Sequence, residues 1–198
     1  MPFTNAARNN MLASVGVTHA SLHSAFPGTT GLNEIAGGAP AYARKAVAFN
    51  AAGGGSRAQN GTAAFDVPGA TTIQFVGFWD AAAAGNFLGY HPLGGAVARE
   101  FIVDTAADLI RSPAHGLADT NQIVFIGDAV PGGLVEGTVY FVKASAADSF
   151  QVAATSGGAA IDLTSQAGNA AQLVRIIPEV FGAQGTIALS AASLSLLL

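Results

Sequence analysis

Apolar and polar residues alternate with a period of two along most of this chain, in short runs cut by glycine and proline, and that pattern predicts β-strands. One stretch departs from it. Thr4 to Val15 carries Ala7, Met11, Leu12 and Val15 at helical spacing, with Thr4 or Asn5 as a cap and Gly16 as a stop, so a small helix packed over a sheet edge is expected. Strands are expected over Val17 to His23, Arg44 to Phe49 and Phe87 to His91. Thr62 to Val67 and Thr71 to Phe78, separated by Pro68-Gly69-Ala70, read as a β-hairpin. Phe26 to Gly38 reads as a long excursion, and Trp79 to Asn86 as a loop.

A second group of strands starts near Phe101. Its members are Phe101–Asp104, Leu109–Arg111, Gln122–Ile126, Thr138–Val142, Phe150–Ala153, Ile161–Leu163 and Leu173–Ile177, set apart by turn signals at Pro113, Gly116, Pro131-Gly132-Gly133, Gly157-Gly158 and Gly168-Asn169. Seven short strands at this spacing fit a small barrel or a rolled sheet. Thr186 to Leu197 alternates again, with the same Ala-, Thr- and Gly-rich texture as the first group. The fold class expected is therefore mainly β: a β-sandwich or barrel-like domain with one short N-terminal helix, plus a small inserted β-barrel or rolled-sheet domain. Residues 1–100 and 179–198 form the discontinuous domain and 101–178 the insert, which the run Ser112 to Thr120 helps to open. Two consecutive domains, or one continuous sandwich, are the other arrangements this pattern allows.

Composition narrows the class of function. Of 198 residues, 51% are hydrophobic and only 10% are charged, against about 25% charged in an ordinary soluble domain. A surface made largely of small polar side chains and backbone desolvates cheaply and suits wide protein–protein contact. The net charge is −4 and the eight Lys and Arg are scattered, so no stripe neutralises phosphates and no nucleic-acid partner is expected. No run reaches the roughly 18 apolar residues of a membrane span, and no basic start with an apolar run marks a signal peptide. Cysteine is absent, which removes disulfides and thiolate chemistry.

Candidate chemistry is sparse. His19 and His23 share one face of a strand but stand roughly 13 Å apart along it, too far for one metal ion, and structural hydrogen bonding is expected of them. His115 precedes a turn glycine and lies near Asp119, without a marked nucleophile; hydrogen bonding to nearby backbone is the expectation. Gly53-Gly54-Gly55-Ser56 lacks the Gly-Lys-Ser/Thr of a phosphate-binding loop. No catalytic residue, cofactor or metal site is expected. Arg44 and Lys45 adjoin and point to opposite sides of a regular strand, where one reaches solvent and the other can meet Glu34 or Asp66 at a subunit edge. Trp79 with Asp80 would suit a sugar-binding shelf if the ring faces solvent, although packing beside Phe78 is the commoner state. Arg44, Trp79, Asp80 and Tyr140 are thus the residues to watch for an interface or receptor contact.

Several segments together resemble a group of tailed-bacteriophage virion proteins. They are Asn9-Asn10-Met11-Leu12, the run Ser21 to Ile35 with Leu22-His23, Pro27-Gly28, Gly31 and Asn33-Glu34, the run Tyr42-Ala43-Arg44, and Gly77-Phe78-Trp79-Asp80-Ala81. Ser24 stands where that group usually has Thr, and Phe26 where Asp is common. The likeness covers about residues 5–95 and resumes over 179–198. Pro113-Ala114-His115-Gly116-Leu117, Gly133 to Val142 and Phe150-Gln151-Val152-Ala153 resemble a separate phage module found in tail, baseplate and other exposed virion proteins. The resemblance implies a non-enzymatic structural component of a virion, of minor tail or capsid decoration type. Its partners would be a tail or major capsid protein and further copies of itself. A carbohydrate- or receptor-binding module on a tail tip is the alternative it leaves open.

Overall fold

The computed structural model describes residues 3–94, 98–127 and 129–195. The chain forms two compact units, Met1–His91 with Glu179–Leu198, and Pro92–Pro178. The first begins with helix α1 (Asn5–Ser14), capped by Thr4, whose Oγ1 accepts from Ala7 N at 3.3 Å. Of the predicted apolar stripe only Leu12 is buried; Met11 is 42% exposed, so the helix buries a single side chain rather than a face. It is held instead by polar contacts to the segment 54–57. Arg57 reaches the Leu12 carbonyl at 3.1 Å, and Gly55 N donates to Asn9 Oδ1 at 2.9 Å.

Strands β1 (His19–His23), β2 (Lys45–Ala46), β3 (Ala48–Phe49), β4 (Ser56–Asn60), β5 (Ala63–Val67), β6 (Thr71–Ile73), β7 (Phe75–Trp79) and β8 (Phe87–Pro92) follow. The predicted Arg44–Phe49 strand is split at Val47, whose N–H turns to the Thr18 carbonyl. Sheet order β2-β1-β7-β8 puts β1 and β7 in the centre, and all five residues of β7 are buried. Burial on both faces explains why Phe75 to Trp79 is nearly continuous in apolar residues rather than alternating.

The predicted hairpin across Pro68-Gly69-Ala70 does not exist. The segment from β5 to β6 keeps running in one direction, because both strands pair with one antiparallel partner near the other end of the chain. The insert supplies β9 (Ile102–Asp104), β10 (Leu109–Arg111), β11 (Gln122–Ile126), β12 (Tyr140–Lys143), β13 (Ser149–Ala153) and β14 (Gln172–Ile176); then come β15 (Glu179–Phe181), β16 (Gly185–Leu189) and β17 (Ser193–Ser195). Glu179↔Ile73 through Leu189↔Ala63 keep one register across both β15/β6 and β16/β5. Pro68-Gly69-Ala70 is therefore a kink facing a matching kink at 182–184, not a reversal. A one-residue slip follows, since Ser193 pairs with Ala58, and one more residue lies on the 58–63 side than on the 189–193 side: a β-bulge. The run Thr71–Phe78, read as one strand, breaks at Gln74, where the chain passes from β6 to β7 in another sheet.

The second unit holds a six-stranded antiparallel sheet, order β14-β11-β12-β13-β10-β9. It is rolled. Arg99 bridges to Leu173 in β14 at one edge through bonds of 2.8 and 2.9 Å, and a few residues later the same segment forms β9 at the other edge. Its core joins Ile110, Ile123, Phe125, Phe150, Val152 and Leu163, all 0% exposed, with Tyr140 and Leu173. The predicted strand Ile161–Leu163 is absent: Ala160 makes one bridge to Ala153, and Leu163 N turns to Asp108 Oδ1 at 2.9 Å. The last run, Thr186–Leu197, is divided by the bulge into β16 and β17, and its final two residues lie outside the described residues.

Candidate functional site

Alternation along β1 puts Ser21 and His23 on one face of the sheet, over Gly77 of the neighbouring β7. Trp79 Nε1 donates to Ser21 Oγ at 2.8 Å, Ser21 Oγ lies 2.7 Å from His23 Nε2, and His23 Nδ1 lies 2.7 Å from the Leu32 carbonyl. A carbonyl only accepts, so Nδ1 carries the proton, Nε2 accepts from Ser21, and Ser21 accepts from Trp79. Every proton in the chain has a defined place. Burial holds the His23 pKa below its ordinary value; the Leu32 carbonyl and Glu34 oppose that shift and Arg44 adds to it. A serine beside a histidine is also the geometry of an activated nucleophile. Here both residues are 0% exposed, and Gly77 closes over them so tightly that a Cβ there would collide with Ser21 Oγ and His23 Nε2. The pair has no room for a substrate and acts as a polar pin through the core.

Arg44 lies over the Trp79 ring, 3.3 Å from its centroid. Its Nε meets both Glu34 oxygens at 3.0 and 3.1 Å, Nη2 meets Oε2 at 2.7 Å, and Nη1 donates to the Ala84 carbonyl at 2.7 Å. Tyr42 Oη donates to Glu34 Oε1 at 3.2 Å and accepts from Leu22 N at 2.9 Å. Burial, first of several causes, pushes the Tyr42 phenol pKa up. These groups wall an open depression of about 400 Å³ rimmed by Ala36, Ala43, Ala82 and Ala83. The charges on its wall are engaged with one another, so it presents mostly methyl groups.

Of the four residues singled out from sequence, Arg44 and Trp79 are brought together in this cluster. Asp80 opens the adjoining turn, accepting from Asn86 N and Nδ2 at 2.7 Å each, and the Asn86 side-chain bond is the first cause of its lowered pKa. Tyr140 lies in the other unit, 5% exposed, with its Oη accepting from Val135 N at 2.8 Å. Trp79 is 6% exposed. Trp79 is packed in the core, the state favoured for it from sequence, so the condition for a sugar-binding shelf, a solvent-facing ring, is not met; the Tyr140 ring is buried as well. Regular alternation puts one of Arg44 and Lys45 in solvent and pairs the other at a subunit edge; instead both pair within the chain, Arg44 with Glu34 at 2.7 Å and Lys45 with Asp66 at 3.4 Å. His115 Nδ1 accepts from Leu117 N at 3.0 Å, the backbone bond expected of it.

Sequence reasoning passed over three glutamines. Gln166 takes Val103 N on its oxygen at 3.2 Å and gives its amide to Val103 O at 2.6 Å. Gln59 does the same for Ala192 N and Leu189 O, and Gln184 for Ala39 N and Pro40 O. Gln166 and Gln59 stand in for a peptide unit beside a strand, and Gln184 does so for the turn at 39–40. A Gln opposite a strand edge has no sequence signal of its own, and only Gln59 of the three is buried.

With this geometry in place, residues 4–105 match the family described as podophage GP4 fiber I protein gp80. The chain belongs to this family. It is a structural component of a bacteriophage, and its place is in the virion. The match spans the Ser21–His23–Trp79 chain, the Arg44 cluster and the first strand of the second unit. No curated protein and no solved structure matches the chain.

Proposed function

We propose that this fiber-family protein is a non-enzymatic subunit that assembles on the tail or capsid surface through protein–protein contacts with a tail or major capsid protein. The discontinuous unit serves as its attachment domain, and the unit formed by 92–178 projects or contacts a neighbour. The family match over 4–105, which falls mainly on the discontinuous unit, carries this reading. Two physical features support it. The chain is poor in charge, so a wide contact costs little desolvation. The discontinuous unit also leaves Phe3, Met11, Leu32, Leu88 and Val180 exposed, between 39% and 71%. Gradient-purified particles analysed by mass spectrometry and by immunogold labelling test the proposal. The chain is expected in intact particles, with gold on the tail or shell surface. Its absence from intact particles, while abundant in the lysate, would overturn it.

A further inference from the structure

The ribbon 185–195 is paired on one side only. Its β16 pairs with β5 and its β17 with β4, and among the described residues no strand lies on the other side. From Val180 to Leu198 the chain carries no charged residue and no proline, the two devices that ordinarily blunt a free sheet edge. Its outward side chains, Thr186, Ala188, Ser190, Ser193 and Ser195, are small and exposed.

The backbone says which groups face the open side. Leu189 O accepts from Gln59 Nε2, and Ala192 exchanges bonds with Gln59 through both its N–H and its carbonyl, so 189 and 192 face the partner strands. Alternation then directs the N–H and C=O of Thr186 and Ala188, and of Ser193 and Ser195, to the open side.

We propose that this edge is closed by the same edge of a second copy of the chain, antiparallel, about a two-fold axis between Ser190 and Ala191. In that register Thr186 faces Ser195 of the other copy and Ala188 faces Ser193. All four outward positions of each chain meet outward positions, giving about eight backbone hydrogen bonds, within the range of a standard interface. The break in alternation at 190–191, between two residues that both face the partner strands, lies on the axis and so does not shift the register. An uncharged edge has nothing to steer a charged partner, and two such edges meet without like-charge repulsion. An isologous contact of this kind closes on itself and does not propagate. The interface deepens the assembly role proposed above and rests on it.

Light scattering and sedimentation of the full chain over a concentration series test it. Twice the 19.7 kDa of one chain is expected at high concentration. T186P/A188P removes only outward N–H groups, which an edge strand tolerates, and should be monomeric with unchanged circular dichroism. Should that variant fail to fold, A188K/S193K places two lysines directly opposite each other across the contact and should be monomeric as well. The chain has no cysteine of its own, so A188C/S193C should form covalent dimers on oxidation. A188C alone should not, its two thiols being roughly 16 Å apart. A wild-type chain that stays monomeric, or a dimer that survives the folded edge variants, would overturn the interface. If the chain is nevertheless found in particles, the virion role stands without it; a dimer missing from particles would instead overturn the assembly role.

Discussion

The two units solve the same problem of strand edges in opposite ways. In 92–178 the sheet rolls until one segment serves both edges: Arg99 bridges to β14, β9 pairs with β10, and Gln166 covers the outer side of Val103. Its core is one apolar cluster with six fully buried members. In the discontinuous unit the strands fall into a four-stranded sheet and three smaller ones, a polar chain of Trp79, Ser21 and His23 runs through the core, and the ribbon 185–195 ends in an open edge. Rolling lets a short sheet satisfy its own backbone. Pairing a distant ribbon along 56–73 leaves one row of backbone groups for something else.

The largest expected effect lies in the self-contained unit. F150A removes a fully buried ring that contacts His115 at 5.0 Å between centroids, and should cost about 3–5 kcal/mol in urea unfolding. Protection of β1 and β7 amides should be unaffected; a loss there of equal size would mean the two cores are one. R44A should cost about 3 kcal/mol, because it leaves the Glu34 carboxylate with Tyr42 alone and uncovers Trp79. A cost under about 0.5 kcal/mol would show that the cluster is ordinary solvated surface. S21A strands both Trp79 Nε1 and the acceptor nitrogen of His23 and should cost about 2–3 kcal/mol by thermal unfolding; S21T, which keeps the hydroxyl, should recover part of it.

Much of this was legible in the sequence, and the failures share a cause. Strands such as Leu109–Arg111 and Gln122–Ile126 are read directly from short runs of β-favouring apolar residues between turn signals. Local signals also mark Thr4 as a cap. Partner choice is not local. Pro68-Gly69-Ala70 has the composition of a reversal, yet the chain runs on because Gly185–Leu189 and Glu179–Phe181 hold both flanks in one register. Trp79 and Arg44 were visible as residues, but the ring's burial depends on Gly31 admitting it, and the guanidinium's place on a loop 40 residues away. Gln166 and Gln59 repair ladder ends that can be recognised only once the ladders are known.

Q166A sharpens the comparison at a smaller scale. It leaves Val103 N–H and C=O unpaired at the β9 edge and should cost about 1–2 kcal/mol, read as faster exchange at Val103 with β11 protection unchanged. The smallest effect is pH dependence. His23 is neutral in the fold with its pKa below 6.5, so the unfolded chain takes up a proton first as pH falls. Stability should therefore be full above about pH 6.5 and decline as pH falls from there toward the lowered folded-state value. The decline should disappear in H23Q, whose overall stability is lower; a slope that persists in H23Q would assign it elsewhere.

Hydrogen exchange of the intact chain, read residue by residue at dilute and at assembling concentration, confronts the two edges directly. Amides of β11, β12 and β13 should be protected at both concentrations, while those of Thr186, Ala188, Ser193 and Ser195 should exchange fast when dilute and slow on assembly. Ribbon amides that exchange at one rate across the whole concentration range would contradict the account.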